Sequence, residues 1–325
     1  MRELAEEEVH QRINRIKALI GSHTEEALRL IEQMEVTYCA APNLLPPGVR
    51  YLIPLSKAGV YLQDGQPEQA RVQLEMALVL AGSDVEARVR SLNLLGVVFY
   101  EQGQHSVALQ HHLECVYSVV GATGAVRDLS FRLSVYQNLA NDYRSLQAFP
   151  QAIVAYKKAL HILDDLNDPQ RQAELFWGMA LSYKALSWWR YARLYVMRAI
   201  QIYRAAGNRT AEAVMQIILA DVLLAEGGPG GARGVEGALN RAADLFSGRN
   251  KEEPRRENEE EKREAREGYG ALSFMYRYYA ELKRREGKLE EAALQAAESI
   301  RQAEMLLRVG QPTGSPFWVD PGRTY

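Results

Sequence analysis

The sequence has few features of a disulfide-rich, zinc-binding or membrane protein. Only two cysteines, Cys39 and Cys115, occur among 325 residues, and they form no CxxC pair. This argues against a disulfide framework and against a structural zinc site. No stretch approaches the roughly 18–20 uninterrupted apolar residues that a membrane span needs. The charged start, MRELAEEEVHQRINRIK, lacks the apolar core of a signal peptide. We therefore expect a cytoplasmic protein that makes no membrane contact.

An excess of one charge is also missing. The chain has 39 Lys and Arg residues against 41 Asp and Glu residues, a formal net charge of -2. Such a balance gives no long-range attraction to nucleic acid or to an anionic membrane. No long basic run supplies a local attraction instead, so we expect no direct nucleic-acid binding.

Strand signals are almost absent. β-branched residues do not alternate with polar ones, and no Asn-Gly hairpin turns separate such runs. Apolar residues instead recur three and four positions apart, which is the spacing of amphipathic helices. With 47% hydrophobic residues the chain can bury a substantial core. The sequence therefore predicts an all-α protein.

One pattern recurs along the chain, in the segments 94–116, 138–160 and 178–200 and, entering later in the unit, 281–300. In the first three, a small residue is followed after three positions by an aromatic, after twelve by Ala, after sixteen by a bulkier residue and after nineteen by Ala or Cys. Small residues are needed where two antiparallel helices approach closely. A single helical pair cannot bury its apolar face, so such units must stack. The equivalent small residues are Ala58, Gly96, Ala140, Ala180, Ala220 and Ala280, with steps of 38, 44, 40, 40 and 60 positions.

This pattern resembles the tetratricopeptide repeat (TPR), and the resemblance covers most of the chain. It implies tandem helical hairpins stacked into a right-handed TPR superhelix, an α-solenoid. A standard unit has about 34 residues, so the units here are long. Long units of this kind are similar to those of bacterial regulatory TPR arrays, including peptide-sensing transcription regulators.

The predicted organisation has six parts. They are an N-terminal capping hairpin (1–40), a Pro-rich connection (41–50), the TPR array (51–247), a charged linker or helix extension (248–267), a final TPR-like hairpin (268–309) and a flexible C-terminal tail (310–325).

Catalytic and metal-binding motifs are not evident. His111 and Cys115 share one helical face, but His112 and Cys115 occupy repeat positions that hold packing residues in the sister units. No HExxH, Walker-type or GxSxG motif is present. We predict no catalytic residue, no metal site and no cofactor, and we do not expect an enzyme.

The TPR resemblance also implies a binding surface. In such arrays the first helix of each unit lines the concave face, and particular positions around the small residue point inward. Glu101 is one of them. The candidate groove residues for a peptide or protein are Arg90, Asn93, Tyr100, Gln137, Asn138, Asn141, Arg144, Trp177 and Lys184. Amides can hydrogen-bond an extended backbone, cations can pair a carboxylate, and the aromatics can hold an apolar anchor.

Two functional hypotheses follow. The leading one is a non-catalytic scaffold that binds a protein or peptide segment in its concave groove. The alternative is a ligand- or peptide-sensing regulatory domain of a transcription or signalling regulator, whose DNA-binding part is absent from this chain. In the alternative, binding would change the oligomeric state, so a second copy of the chain is a further candidate partner.

Overall fold

The computed structural model describes residues 2–19, 23–39, 47–121, 126, 128–227 and 231–247, with isolated positions beyond residue 283. Within them the chain forms twelve α-helices, a short 3-10 turn at Pro47–Val49 and no strand. The all-α prediction is thus confirmed. The charged segment 248–267 and the tail 310–325 lie outside the described residues. So do the final hairpin 268–309, apart from those isolated positions, and most of the connection 41–50.

The chain divides into two compact bodies, Met1–Gln147 and a second that begins at Ala148. The first contains α1 Arg2–Leu19, α2 Thr24–Cys39, α3 Leu52–Gln63, α4 Pro67–Ala81, α5 Val85–Glu101, α6 His105–Gly121 and α7 Leu129–Ser145. The second contains α8 Phe149–Leu163, α9 Pro169–Ala185, α10 Trp189–Ala205, α11 Arg209–Glu226 and α12 Gly231–Ser247. Within each body every helix packs against the next one along the chain, as in tandem helical hairpins.

Helix length explains most of the long repeat. The helices from α5 to α12 contain 15 to 18 residues each. The 44-position step from Gly96 to Ala140 also contains the seven positions between the end of α6 at Gly121 and the start of α7 at Leu129.

The first helices from α5 onward, among the described residues, begin at capping residues. Asp84, Asp128, Asp168 and Asn208 precede α5, α7, α9 and α11. Each side chain accepts a hydrogen bond from the backbone N–H three residues later, at 3.0–3.1 Å. Such a cap satisfies one of the N–H groups that the start of a helix leaves unpaired.

The helices α3, α5, α7 and α9 are each followed by a residue in the left-handed region. These residues are Gly65, Gly103, Gln147 and Ser187, with φ of 68°, 74°, 59° and 60°. After α9, the backbone N–H of Trp188 donates to the carbonyl of Tyr183 at 2.9 Å, which is the closing bond of a Schellman motif. Glycine adopts this conformation without strain, whereas a side chain at the same position costs free energy.

Columns of small side chains mark where the helices touch. The first helices contribute Ala58, Gly96, Ala140, Ala180 and Ala220, all buried. The second helices contribute Ala70, Ala108, Ala152 and Ala192 and, seven positions later, Ala77, Cys115, Ala159 and Ala199. Helix α12 has Ala242 at the second of these positions, and all nine residues are at 0% exposure. Three positions before each residue of the later set stands a bulky side chain that is at most 1% exposed. These residues form the bulky column: Leu74, His112, Tyr156, Val196 and Leu239. These columns agree with the predicted repeat.

Two glycines lie directly against members of the bulky column. A Cβ at Gly96 would collide with the ring of His112, and one at Gly178 would collide with the ring of Tyr156. Each glycine therefore makes room for a large side chain of a neighbouring helix, and any substitution would force the ring to move.

The turn after α9 provides a stability test. We expect Ser187→Gly to increase the free energy of unfolding by up to about 1 kcal/mol, because glycine removes the strain of a positive φ. The midpoint of urea unfolding should then shift to a higher urea concentration. The β-branched replacement Ser187→Val should lower the midpoint. Helical circular dichroism of the full chain measures both. A midpoint lowered by Ser187→Gly would contradict the assigned turn conformation.

Candidate functional site

Most of the predicted groove residues lie on two adjacent helices of the first body. The helices α5 and α7, which begin successive repeats, contact each other. Together they carry a set that we name the first-helix face: Arg90, Asn93, Tyr100, Gln137, Asn138, Asn141 and Arg144. Asn93 is buried and the other six are half-buried, as expected for side chains that line a recess.

Direct hydrogen bonds join the two halves of this face. The Asn138 side-chain amide donates to Oδ1 of Asn93 at 3.2 Å. The hydroxyl of Ser145 donates to the Tyr100 hydroxyl at 3.1 Å, and Nη2 of Arg144 lies 3.5 Å from the same oxygen. Residues 44 or 45 positions apart in sequence are thus held in one polar surface.

Arg90 is held by carboxylates of its own chain. Its Nη2 lies 2.7 Å from Glu86 Oε1 and 3.0 Å from Asp128 Oδ2, and its guanidinium lies 4.8 Å from the ring centroid of Phe131. Burial alone would lower the pKa of Arg90, but the hydrogen bonds to Glu86 and Asp128 raise it above its ordinary value. Arg90 therefore connects α5 to the start of α7, and a ligand carboxylate would have to compete with two existing partners.

The two remaining candidates lie on α9 in the second body. Lys184 forms an ion pair with Asp221 of α11. Trp177 is half-buried on the same helix as Lys184. Two of the three cations that we expected to receive a carboxylate thus have acidic partners within the chain.

A buried polar pair lies behind the first-helix face, and the sequence analysis missed half of it. His112 on α6 and Asp142 on α7 are 1% and 0% exposed, and Nδ1 of His112 lies 2.5 Å from Oδ2 of Asp142. The other ring nitrogen, Nε2, lies 3.2 Å from the backbone carbonyl oxygen of Asn93. Asn93 therefore contacts both the buried pair and, through its side chain, Asn138 on the face.

The hydrogen-bond geometry limits the proton arrangements of this pair. A carbonyl oxygen only accepts, so Nε2 must carry a hydrogen to bond Asn93. The bond to Asp142 then needs a second proton, held either by Nδ1 as an ion pair or by the carboxyl group as a neutral pair. Burial raises the pKa of Asp142, and the hydrogen bond from His112 opposes that rise. Oδ1 of Asp142 has no hydrogen-bond partner among the described residues, so the pair is not fully satisfied.

A weak signal for Asp142 exists in the sequence. His112 stands in a column whose other members are Leu, Tyr or Val, and Asp142 follows the buried Leu139 by three positions, which places both on one face of their helix. A histidine in an apolar column needs a buried partner. The repeat alone does not say which residue supplies it.

The other residues considered for metal have packing partners. The His111 ring stacks on Phe99 with centroids 5.3 Å apart, and the buried thiol of Cys115 donates to the Val89 carbonyl at 3.4 Å. Burial raises the pKa of that thiol well above its ordinary value. Over the described residues, no group of three or more His, Cys, Asp or Glu side chains is placed to hold a metal ion. None of the described helices is both long and apolar enough to cross a membrane.

Comparison with known proteins identifies the fold. No protein-family model and no curated protein sequence matches the chain. The solved structure of the apo form of RapI does match, at 11% identity and a TM-score of 0.63, over 93% of this chain and 99% of RapI. A Rap protein complexed with Competence and Sporulation Factor matches at 14% identity and a TM-score of 0.61, over 93% of this chain and 79% of that one.

A third match is a STAND-type signal transduction ATPase with a tetratricopeptide repeat sensor, PH0952 from Pyrococcus horikoshii. It is 13% identical with a TM-score of 0.68, over 94% of this chain but only 44% of its own length. The fold is that of a tetratricopeptide-type helical-repeat protein. At such low identities the likeness shows the fold alone.

The buried pair predicts a non-additive pattern of stabilities. His112→Leu should destabilise the chain by about 3–5 kcal/mol, because it leaves the Asp142 carboxyl group buried without a partner. The double variant His112→Leu with Asp142→Leu should recover most of that loss, because an apolar pair replaces the polar one. Urea midpoints of both single variants and the double variant measure the coupling. A double variant no more stable than His112→Leu would argue against the pair.

Glu101 predicts a pH dependence. Burial of its carboxylate raises its pKa to about 7, although the residue as a whole remains exposed. The folded state then holds a proton that the unfolded state releases near the ordinary glutamate pKa of 4.5. The free energy of unfolding should therefore fall as the pH rises from there through 7. Solvent screening keeps this effect small.

The variant Glu101→Gln removes the carboxylate and should unfold at a higher temperature than the original chain at pH 8, but not at pH 4. Thermal scans at both pH values measure the difference. An equal gain in unfolding temperature at pH 4 and at pH 8 would contradict the raised pKa of Glu101.

Proposed function

We propose that the protein is a non-catalytic scaffold that binds a protein or peptide segment on the first-helix face. The supporting observation is that two hydrogen bonds, Asn93–Asn138 and Tyr100–Ser145, connect α5 to α7. The two helices thus present one half-buried polar surface. A surface held in place before binding loses less side-chain freedom when a ligand arrives.

The chemistry of this face suits an extended backbone. A side-chain amide has two N–H donors and an oxygen with two lone pairs, so the single bond between Asn93 and Asn138 uses only part of their capacity. Amides can pair with a peptide backbone whatever the ligand side chains are. Tyr100 adds an aromatic ring beside them, suited to one apolar anchor.

The known structures support a binding role. One similar chain is a Rap protein that was solved in complex with Competence and Sporulation Factor, so its fold accommodates a bound factor. The match covers 93% of the present chain. We infer by analogy that the present chain also binds a factor.

A second candidate function is that of a sensor domain in a signalling or transcription regulator. It is favoured by the match to PH0952, which carries a tetratricopeptide repeat sensor beside other domains. A sensor should change its conformation or its oligomeric state when the ligand binds. Light scattering of the full chain with and without ligand separates the two functions. A simple scaffold gains only the mass of the ligand, whereas a sensor that changes its oligomeric state changes its mass by whole chains.

The test of the binding proposal uses a ligand selected in the laboratory. Peptides that bind the full chain are selected from a displayed random library, labelled with fluorescein and titrated by anisotropy. The triple variant Asn138→Ala, Asn141→Ala and Arg144→Ala should weaken binding by at least about a hundredfold, a loss of about 2.7 kcal/mol. The three truncations remove hydrogen-bonding groups from the centre of the face.

A matched control removes two side-chain amides and one guanidinium elsewhere. Gln69, Gln110 and Arg88 are exposed residues of α4, α6 and α5, and their joint replacement by Ala should leave the affinity within about twofold. Circular dichroism confirms that both variants remain folded. Equal affinity of the first-helix-face variant and the control for every selected peptide would overturn the proposal.

A further inference from the structure

The second body contains a continuous stack of aromatic rings between α9 and α10. The Tyr183 ring lies 5.2 Å from that of Tyr191 and 5.5 Å from that of Tyr195, measured between centroids. Trp188, in the turn before α10, lies 5.8 Å from Tyr183 and 6.1 Å from Tyr191. Tyr183 is buried at 4% exposure, so the stack is fixed to the core at one end.

The other end of the stack is open to solvent. Trp188 is 54% exposed and Tyr191 53%, and two aliphatic side chains of α10, Leu194 and Met197, are 42% and 48% exposed. Single exposed apolar residues are common on protein surfaces. Four on one helix and its preceding turn, with two of them held rigidly by stacked rings, form an unusual concentration.

Unpaired positive charge accompanies these rings. Helix α10 carries Arg190, Arg193, Arg198 and Arg204 and contains no Asp or Glu. Arg193 pairs with Glu226 at 3.1 Å and Arg204 pairs with Glu212 at 2.8 Å. Neither Arg190 nor Arg198 has an ion pair with a carboxylate among the described residues, although both are exposed.

A third cation comes from helix α8, which packs against α9. Lys157 is exposed, lies near the Tyr195 ring and also has no ion pair among the described residues. Burial raises the pKa of Tyr195, and the charges of Arg198 and Lys157 act in the opposite direction. Arg198 lies over two aromatic rings, 5.6 Å from the Tyr195 centroid and 5.7 Å from that of Phe176, and the Phe176 ring itself lies 5.5 Å from that of Tyr195. This stacking holds the guanidinium beside the aromatic surface.

We propose that this surface docks an acidic, amphipathic segment of a partner protein. We name it the α10 outer patch and define it as Lys157, Trp188, Arg190, Tyr191, Leu194 and Arg198. Carboxylates of the partner pair with the three cations, and its apolar side chains cover the exposed rings and Leu194. Tryptophan, tyrosine and arginine are the residue types that carry most binding energy in protein interfaces. Complementary charge selects an acidic partner.

A nucleic acid fits this surface less well. Its phosphates need a continuous row of cations, but Arg193 and Arg204 are already neutralised by glutamates. Leu194 and Met197 interrupt the positive charge along the helix. An aliphatic side chain has no flat ring on which a base could stack, whereas it packs well against an apolar residue of a peptide.

The test uses the full chain and three fluorescein-labelled probes. These are a short peptide of Glu, Asp, Leu and Phe, a peptide of equal length in which Lys replaces the acidic residues, and an oligo-dT strand. We expect saturable binding of the acidic peptide, weakened by added salt, and much weaker binding of the other two. Arg190→Glu and Trp188→Ala should each reduce the affinity for the acidic peptide by at least about tenfold.

Controls separate this surface from other sites. Arg88→Glu and Val79→Ala change an exposed cation of α5 and an exposed apolar residue of α4, and both should leave the affinity unchanged. The triple first-helix-face variant should also keep it. Tighter binding of oligo-dT would overturn the proposal. So would binding of the acidic peptide that survives both patch substitutions, or that only the first-helix-face variant abolishes.

Discussion

The close approach of helices at small side chains determines the rest of this structure. Wherever a second helix meets its neighbours, Ala or Cys is completely buried, as at Ala108, Ala152 and Ala192. A larger side chain at these positions would separate the helix axes and open voids beside the bulky column. The same close packing brings α5 next to α7, so that Asn93 reaches Asn138 and Tyr100 reaches Ser145.

The buried His112–Asp142 pair connects this core to the surface. At its position in the repeat an apolar side chain would suffice, as Leu74 and Leu239 show. A buried polar pair is weak evidence for stability, because desolvation offsets much of its attraction. It does fix geometry, since His112 holds both the Asp142 carboxyl group and the Asn93 carbonyl. We infer that its role is to set the position of Asn93 and hence of the first-helix face.

The repeat was predictable from the sequence because each unit obeys the same local rules. The small columns, the Asp and Asn caps and the glycine turns all depend on residues close together in the chain. Pairing across repeats was not predictable in this way. Asp128 lies 38 positions from Arg90 and Asp221 lies 37 from Lys184. Lys184 therefore looked available in the sequence. Arg90 has a nearer partner as well, Glu86, which the i,i+4 spacing of a helix could have indicated. Asp142 was missed for the same reason, since its partner lies on another helix.

Photo-crosslinking can show whether ligands bind where α5 and α7 meet. A library-selected peptide carrying a benzophenone side chain is irradiated in complex with the full chain, and mass spectrometry locates the attachment sites. We expect attachment within Val85–Glu101 of α5 and Leu129–Ser145 of α7. Attachment confined to α4, α6 or other helices, with none on α5 or α7, would contradict it.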